Sequence, residues 1–217
     1  MLADTDPLFY SHKTEPVPAH PELSNFGPRI RSSEDLPFLC ELNLELANIW
    51  RVTRKFCLLA NLGAQTQTLI QPATIYGTMV SVMYRLLSMH FAIGSLEECI
   101  RLGLISFTHH IFLQWKDICS PLHSFARNYR EHLESTKPEN SVSPHLMLWL
   151  WMIAAVSTFR VSAEPWLEDR LQTQLERCNI RSWADLQSVL KSFLWVSVLD
   201  EERGKQTYAW LKLRSDI

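Results

Sequence analysis

Apolar residues recur every three or four positions from Leu39 to Leu213, and this spacing limits the possible folds more than any other feature of the chain. It is the spacing of one face of an α-helix, whereas a half-buried strand would alternate apolar and polar residues. No alternating stretch of convincing length and no internal repeat occurs. The pattern predicts an all-α protein, with a single helical domain of about seven to eight helices over residues 35–217.

Residues 1–34 lack this periodicity and contain five of the eleven prolines, which predicts an extended or disordered leader. Residues 1–35 carry six acids and three bases, which leaves 17 acids and 18 bases of the chain's 23 and 21. The helical part is therefore near neutral. Because the whole chain has a formal net charge of only −2, we expect no strong general attraction to nucleic acid or to acidic membranes.

Prolines, glycines and capping serines divide the periodic region into eight predicted helices. Ser95 with Glu98 has the spacing of a capping box, and Ser182 is a second N-cap candidate. The predicted segments run from residue 33 or 35 to about 61, from 72 towards Gly94, from 95 towards 120, and over about 121–133, 145–159, 165–178, 182–194 and 205–213. In the second of these, the expected buried face is Tyr76, Met79, Met83, Leu86 and His90. The fifth is apolar nearly all round, which is typical of a central buried helix.

Five cysteines lie at wide intervals with no Cys-x-x-Cys pair, so neither a disulfide framework nor a zinc knuckle is indicated. We expect buried thiols in a reducing compartment. The chain does not begin with a basic and then apolar signal peptide, and its longest apolar run, 146–156, is shorter than the ~20 residues that span a bilayer. An intracellular, soluble protein is expected.

Several stretches in helical order resemble one known family. The matching stretches are Tyr-Arg-Leu-Leu at 84–87, Glu-Cys-Ile-Arg-Leu-Gly at 98–103, Leu-Trp-Leu-Trp-Met at 148–152, Pro-Trp-Leu at 165–167, the segment from Cys178 to Leu186 with Ile180, Ser182, Trp183 and Asp185, and Phe-Leu-Trp at 193–195. Together they are similar to the fungal-specific transcription factor region of zinc-cluster regulators, over residues ~70–213. The residues themselves are of packing type: Trp183 and Trp195 are expected at the two ends of one short helix.

The chain departs from that family in one respect. Full-length members carry six closely spaced cysteines that bind two zinc ions, followed by a basic linker, and this sequence has neither. The resemblance therefore implies a regulatory module in the nucleus that controls a metabolic gene cluster through protein partners, a DNA-binding factor or a second copy, without reading DNA itself. A non-functional remnant of a longer factor fits the missing cluster equally well.

No residue is predicted to be catalytic, to bind a cofactor or to ligate a metal. His109 and His110 point about 100° apart on a helix, so they do not readily share one metal ion, and Pro121 separates Cys119 from His123. We expect one histidine of the pair at the surface and one satisfied in the core. The acid pairs Glu97-Glu98 and Glu201-Glu202 are expected at helix starts, where they favour the dipole. Three bases on the first helix, Arg51, Arg54 and Lys55, predict a solvated edge or a partner contact.

The alternative function is that of an all-helical enzyme or ligand carrier, which the density of aromatic residues suggests. Its pocket would use an apolar set: Met79, Met83, Phe107, Phe112, Met147 and Trp151. Chemistry would come from His90, His109 or His110 inside it. A buried histidine beside a carboxylate in a concave site would favour this alternative.

Overall fold

The structure is a computed structural model that describes residues 36–68, 70–113, 123–136 and 142–215. These ranges contain α-helices and no β-strand, so the all-α prediction is confirmed. The helices are α1 Leu44–Thr66, α2 Pro72–Ser88, α3 Leu96–Leu113, α4 His123–Ser135, α5 Pro144–Ile153, α6 Pro165–Arg177, α7 Trp183–Ser192 and α8 Ser197–Ser215. None of them is both long and apolar enough to cross a membrane. The predicted leader, 1–34, lies outside the described residues, as does the start near residue 121 predicted for the fourth helix.

The fifth helix lies at the centre, as predicted. Every residue from 146 to 153 is buried, and α3, α6 and α7 pack around them. A helix that is apolar on all sides gains most from such a position because each face removes apolar surface from water. Trp149 makes an edge-to-face contact with Trp50, with ring centroids 4.8 Å apart, and its indole Nε1 donates to the Leu194 carbonyl at 2.8 Å.

A single turn of π-helix, Ala154–Thr158, continues α5, and a 3₁₀ turn, Val161–Ala163, leads into α6. In a π-turn the backbone bonds reach one residue further than in an α-helix, which widens the helix locally. The Ser157 hydroxyl donates back to the Ile153 carbonyl at 2.5 Å. The predicted helix over 145–159 is therefore present, but its last turn has a different geometry.

The first predicted helix is wrong at both ends. Its beginning is a separate 3₁₀ turn, Pro37–Cys40, and α1 starts only after Asn43. The Asn43 side chain accepts from the backbone N–H groups of Glu45 and Leu46 at 2.9 and 3.4 Å, which makes it the N-cap. At the other end Gly63 lies inside α1 instead of ending it.

The last helix is also longer than predicted: α8 begins at Ser197, eight positions before residue 205, and Gly204 lies within it. Packing explains that glycine, since a Cβ there would lie 2.7 Å from Cη2 of Trp183 and 2.9 Å from Cη2 of Trp195. The start of α8 is held from α1. Asn61 donates to the Trp195 carbonyl and accepts from the Ser197 N–H, both at 2.8 Å.

The two predicted N-caps have different outcomes. Ser182 forms a complete capping box with Asp185 at the start of α7. Ser95 forms only half of one: it accepts from the Glu98 N–H at 3.2 Å, while the Glu98 carboxylate binds the buried Arg101 guanidinium at 2.6 and 2.8 Å. Arg101 also donates to the Leu86 carbonyl at 2.9 Å. This buried ion pair joins the end of α2 to α3.

Candidate functional site

The outward side of α2 is an apolar surface. Four large side chains on it are exposed: Tyr76 by 52%, Val80 by 51%, Tyr84 by 39% and Leu87 by 50%. Their spacing of four, four and three places them on one face of the helix. We call these four residues, with the exposed Ala73 and Gly77, the outward face of α2.

This face carries no charge. The only charged residue of α2, Arg85, points inward and is 7% exposed, and its guanidinium lies 3.5 Å from the Glu45 carboxylate of α1. Solvent-facing helix sides normally carry charged residues. Contiguous exposed apolar surface is typical of an interaction site.

The predicted buried face of α2 is therefore wrong in part. Leu86 is buried as predicted, but Tyr76 points outward, and His90 is exposed beyond the end of the helix. The other buried residues of α2 are Thr74, Thr78, Val82 and Arg85, none of which was in the predicted set. Since α2 is apolar on most sides, its pattern does not define one face. The contacts of Val82, Leu86 and the Arg85–Glu45 pair decide the rotation.

Gly77 lies in the middle of α2, where glycine costs about 0.5–1 kcal/mol relative to alanine. A Cβ at this position would meet no atom of the described residues within 4 Å, so their packing does not require a glycine there. Ala73 lies one turn earlier on the same face. Two small residues one turn apart leave room for a second helix to approach α2 closely.

An apolar groove of about 520 Å³ lies beside this face, between α1, α2, the end of α3 and the start of α8. Phe56, Ile75, Phe112 and Leu199 are among its walls, and Tyr76 belongs both to the groove and to the outward face. Of the predicted aromatic pocket, only Phe112 lines this groove. Met79, Phe107 and Phe112 do meet at a much smaller cavity of about 10 Å³ between α1, α2 and α3. Met147 and Trp151 are buried elsewhere in the core, so the structure brings together only half of the predicted set.

A second, polar pocket of about 530 Å³ lies on another part of the molecule, between the π-turn, the 3₁₀ turn after it and α8. Its walls contain two arginines and no acidic residue. The lining residues are Ala155, Val156, Ser157, Thr158, Phe159, Arg160, Val161, Ser162, Arg203, Gln206, Thr207 and Trp210. Below it, the buried Ser106 hydroxyl of α3 contacts those of Ser157 and Thr158.

Arg203 connects this pocket to a buried pair. Its guanidinium donates to the Val156 carbonyl at 3.3 Å and lies 3.4 Å from Nδ1 of His110, while Nε2 of His110 lies 3.1 Å from the Asp200 carboxylate. Because Arg203 can only donate, this contact is a hydrogen bond only for the His110 tautomer that accepts at Nδ1 and carries its proton on Nε2, facing Asp200. Asp200 also accepts from the Val196 N–H at 2.8 Å. Burial, and then the Asp200 charge, raise the pKa of the nearby Cys57 thiol well above its ordinary value.

The two adjacent histidines singled out in the sequence, His109 and His110, lie in different surroundings. His110 is in the core with a partner, as expected for one of the two, and His109 is half-buried rather than fully at the surface. Burial, and then the His110 charge, lower the pKa of His109. Cys119 lies outside the described residues, and no cluster of three potential metal ligands occurs within them. His110 and Asp200 are 90 positions apart, so no local motif in the sequence pointed to their contact.

The charged residues singled out in the sequence lie in ordinary hydrogen bonds, ion pairs or surface positions. The Glu97 carboxylate, near the start of α3, accepts from the Asn43 N–H at 2.7 Å. Glu201 is in the second turn of α8, not at its start, and pairs with Lys205 at 2.8 Å. Of the three bases on α1, Arg51 and Arg54 are half-buried and Lys55 is exposed.

Comparisons with protein-family models, with curated proteins and with solved structures found no match to this chain. The tryptophans among the residues that carry the sequence resemblance have packing positions in the fold, whereas Tyr84 and Leu87 of the same set are exposed on α2. Trp149 and Trp195 are almost fully buried, and Trp183 begins α7 while Trp195 lies just beyond its end. The indole rings of Trp183 and Trp195 pack with centroids 6.5 Å apart.

Proposed function

We propose that this protein is a regulatory helical module of the transcription-linked kind, which acts by protein contact through the outward face of α2. The observation that carries the proposal is that this face is exposed, apolar and free of charge over the length of a 17-residue helix. The resemblance to the fungal transcription factor region supports the regulatory role and the nucleus as its place of action. Neither observation calls for catalysis or for direct reading of DNA.

The partner that fits this face is the same face of a second copy. In a two-fold symmetric contact, each residue lies near its own equivalent or near a second residue of the same patch, so a charged patch would repel itself. The outward face of α2 has no charge that would oppose such pairing. Ala73 and Gly77 allow the two α2 helices to approach each other closely, with the larger side chains packing along the sides of the contact.

The available area is consistent with a modest interface. A specific contact buries about 1,000 Å² or more in total, or about 500 Å² on each copy. A buried aromatic side chain contributes 150–250 Å², so Tyr76 and Tyr84, which are 52% and 39% exposed, offer roughly 140–230 Å². Val80, Leu87 and the mouth of the groove beside Tyr76 add to this area. We therefore expect a reversible dimer.

Light scattering after gel filtration, over a wide range of chain concentration, tests this contact. The wild-type chain should approach twice its mass of 25.2 kDa as its concentration rises. Val80→Lys should remain monomeric because two-fold packing would bring the new charges together. Leu213→Lys is the matched control, since Leu213 is 69% exposed on α8, outside this face, and should leave the dimer intact. A wild-type chain that stays monomeric, or a Val80→Lys dimer, would rule out the second copy as the partner.

The regulatory role needs a separate experiment in the cells that express the protein. A fluorescently tagged chain should concentrate in the nucleus, and deletion of its gene should change the transcripts of a group of metabolic genes. Val80→Lys should reproduce the deletion at normal protein abundance, while Leu213→Lys should behave as wild type. A cytosolic protein whose loss leaves the transcripts unchanged would refute the transcriptional role, whatever its oligomeric state.

One observation favours the alternative of a ligand carrier or enzyme. His110 is buried next to the Asp200 carboxylate, close to a concave polar pocket. Its two ring nitrogens already face Asp200 and Arg203, so neither is left to accept a proton from a substrate. This arrangement supports binding in the pocket more than acid–base catalysis.

A further inference from the structure

The polar pocket beside the π-turn has more hydrogen-bond donors than the fold uses. Arg203 is partly occupied, because it binds the Val156 carbonyl near the end of the helix, where a cation is normally favourable. Arg160 has no such role. Its side chain makes no ion pair and no hydrogen bond among the described residues, and it is exposed at the pocket.

The four hydroxyl groups that line the pocket also divide into two that the fold uses and two that it does not. Ser157 and Thr158 contact Ser106 beneath the pocket, so they belong to the packing of α3 against the π-turn. Ser162 and Thr207 also line the pocket, and neither hydroxyl has a hydrogen-bond partner among the described residues. Arg160, Ser162 and Thr207 thus supply one guanidinium and two hydroxyl groups as unused donors around one space.

Among the described residues no carboxylate lines this pocket, and the nearest ones have other contacts. Asp200 is fully buried and faces His110, and Glu168 is held by Arg214 at 3.4 Å and by the Trp210 indole N–H at 3.5 Å. Glu202 accepts from the Gln206 side chain at 2.9 Å. The lining residues themselves thus include two arginines and no acid, in a chain whose net charge is −2.

The walls also contain aromatic surface. Phe159 and Trp210 line the pocket next to the donors, and both are only partly buried. Small-molecule sites commonly combine such apolar surface with a few converging polar groups, in volumes of roughly 300–1,000 Å³. At about 530 Å³ this pocket is large enough for a ring with one anionic substituent.

We infer that this pocket binds a small aromatic or apolar molecule that carries an oxyanion, with Arg160 and Arg203 facing the anion and Phe159 and Trp210 facing the apolar body. A planar guanidinium suits both phosphate and carboxylate, since it can donate two parallel hydrogen bonds. The inference goes beyond the proposed function and does not depend on it, because the pocket and the outward face of α2 share no residue.

Isothermal titration of the whole chain with four probes tests the inference. Phenyl phosphate should bind with one saturable site per chain, more tightly than inorganic phosphate, and benzoate should also bind. Phenol, which keeps the ring without the charge, should not bind measurably. The comparison of phenyl phosphate with benzoate shows which oxyanion the pocket prefers.

Arg160→Gln should weaken phenyl phosphate binding by about tenfold or more, the usual effect of losing a hydrogen bond to a charged group. It should fold normally because Arg160 is exposed and unpaired. Thr207→Val removes one donor at nearly constant volume and should weaken binding less. Lys55→Gln, which removes one exposed positive charge from α1, is the matched control and should bind as the wild type does.

Three outcomes would overturn the inference. Absence of saturable binding by phenyl phosphate and benzoate would mean that the pocket holds no such anion. Equal weakening by Lys55→Gln and Arg160→Gln would show that any attraction is a general charge effect. Equal binding of phenol and phenyl phosphate would reduce the site to an apolar crevice.

Discussion

Two helices of this protein, α5 and α2, are both apolar around most of their circumference, but they differ in what surrounds them. Residues 146–153 of α5 are all buried among α3, α6 and α7. On α2, Tyr76, Val80, Tyr84 and Leu87 remain exposed. The same kind of sequence therefore makes a core element where neighbours pack on every side and a free surface where they pack on one side only. The difference identifies α2, rather than the more apolar α5, as the candidate for partner contact.

Introducing a charge into each helix should give the largest contrast. Leu148→Lys places an unpaired ammonium at a position that is 0% exposed, and the several kcal/mol this costs is comparable to the whole stability of a domain, about 5–15 kcal/mol. We expect this variant to be largely unfolded. Val80→Lys should change the stability of the monomer by less than about 0.5 kcal/mol. Circular dichroism during urea unfolding, at chain concentrations below the dimerisation range, measures both. A stable Leu148→Lys variant would contradict the central position of α5.

Removing an aromatic ring from each helix should give the next largest contrast. Trp149→Ala leaves a cavity in the core and an unpaired Leu194 carbonyl, and should destabilise the protein by about 3–5 kcal/mol. Tyr84→Ala removes a ring that is partly in solvent and should cost less than about 1 kcal/mol. The midpoints of urea unfolding, under the same conditions as before, give the two values. Equal losses would mean that the outward face of α2 is packed against part of this chain.

A pair of helical glycines offers a smaller test. Gly204→Ala pushes a methyl group into Trp183 and Trp195 and should cost about 1–3 kcal/mol. Gly77→Ala fills open space on α2 and should stabilise the monomer by about 0.5–1 kcal/mol. Thermal unfolding of the two variants is the measurement. Opposite signs are expected, and a destabilising Gly77→Ala in the monomer would show that Gly77 is packed after all.

The reactivity of the cysteine thiols measures how accessible the core is to a reagent, without altering the core residues. Cys40 is exposed, while Cys57 and Cys99 are buried. Burial raises the pKa of Cys99 to about 11, so at pH 8 almost none of it is thiolate. In a background with Cys119→Ser and Cys178→Ser, which removes the undescribed and the half-buried thiol, Ellman's reagent should react rapidly with Cys40. It should react with Cys57 and Cys99 only after unfolding. Fast labelling of Cys57 or Cys99 in the folded protein would contradict their burial.

The same shift predicts a pH effect. The unfolded chain loses the Cys99 proton near the ordinary value of 9.0, and the folded chain near 11. Deprotonation therefore favours the unfolded state first, so this group contributes stability below pH 9 that is lost as the pH rises to about 11. Unfolding midpoints of the wild type and of Cys99→Ala across this range isolate the effect: the dependence on pH should be weaker in the variant.

Features that depend on neighbouring residues in the chain were predictable from the sequence. The helical class follows from the apolar period, and the central position of α5 from its lack of a polar face. The N-cap of α7 at Ser182 follows from the Ser182–Asp185 spacing, and Pro72 and Pro165 occupy the first positions of α2 and α6. Each of these depends on a few adjacent residues, whose local preferences act in the same direction as the fold.

Features that depend on distant residues were not predictable. Gly204 is needed inside α8 because Trp183 and Trp195 pack against it. The early start of α8 depends on hydrogen bonds from Asn61 of α1. The Arg203–His110–Asp200 network joins residues up to 93 positions apart, so the polar pocket above it left no local signal.

The sequence by itself determined that the chain is helical, where most of its helices begin, and that one of them is buried on all sides. These properties arise from hydrogen bonding and apolar spacing within single segments. Only the tertiary structure decided which side of α2 faces solvent and which arginines meet at the π-turn, because these depend on the packing of whole helices against one another. Both candidate sites belong to this second group: each arises where the packing of the described residues leaves apolar side chains or the Arg160 guanidinium exposed to solvent.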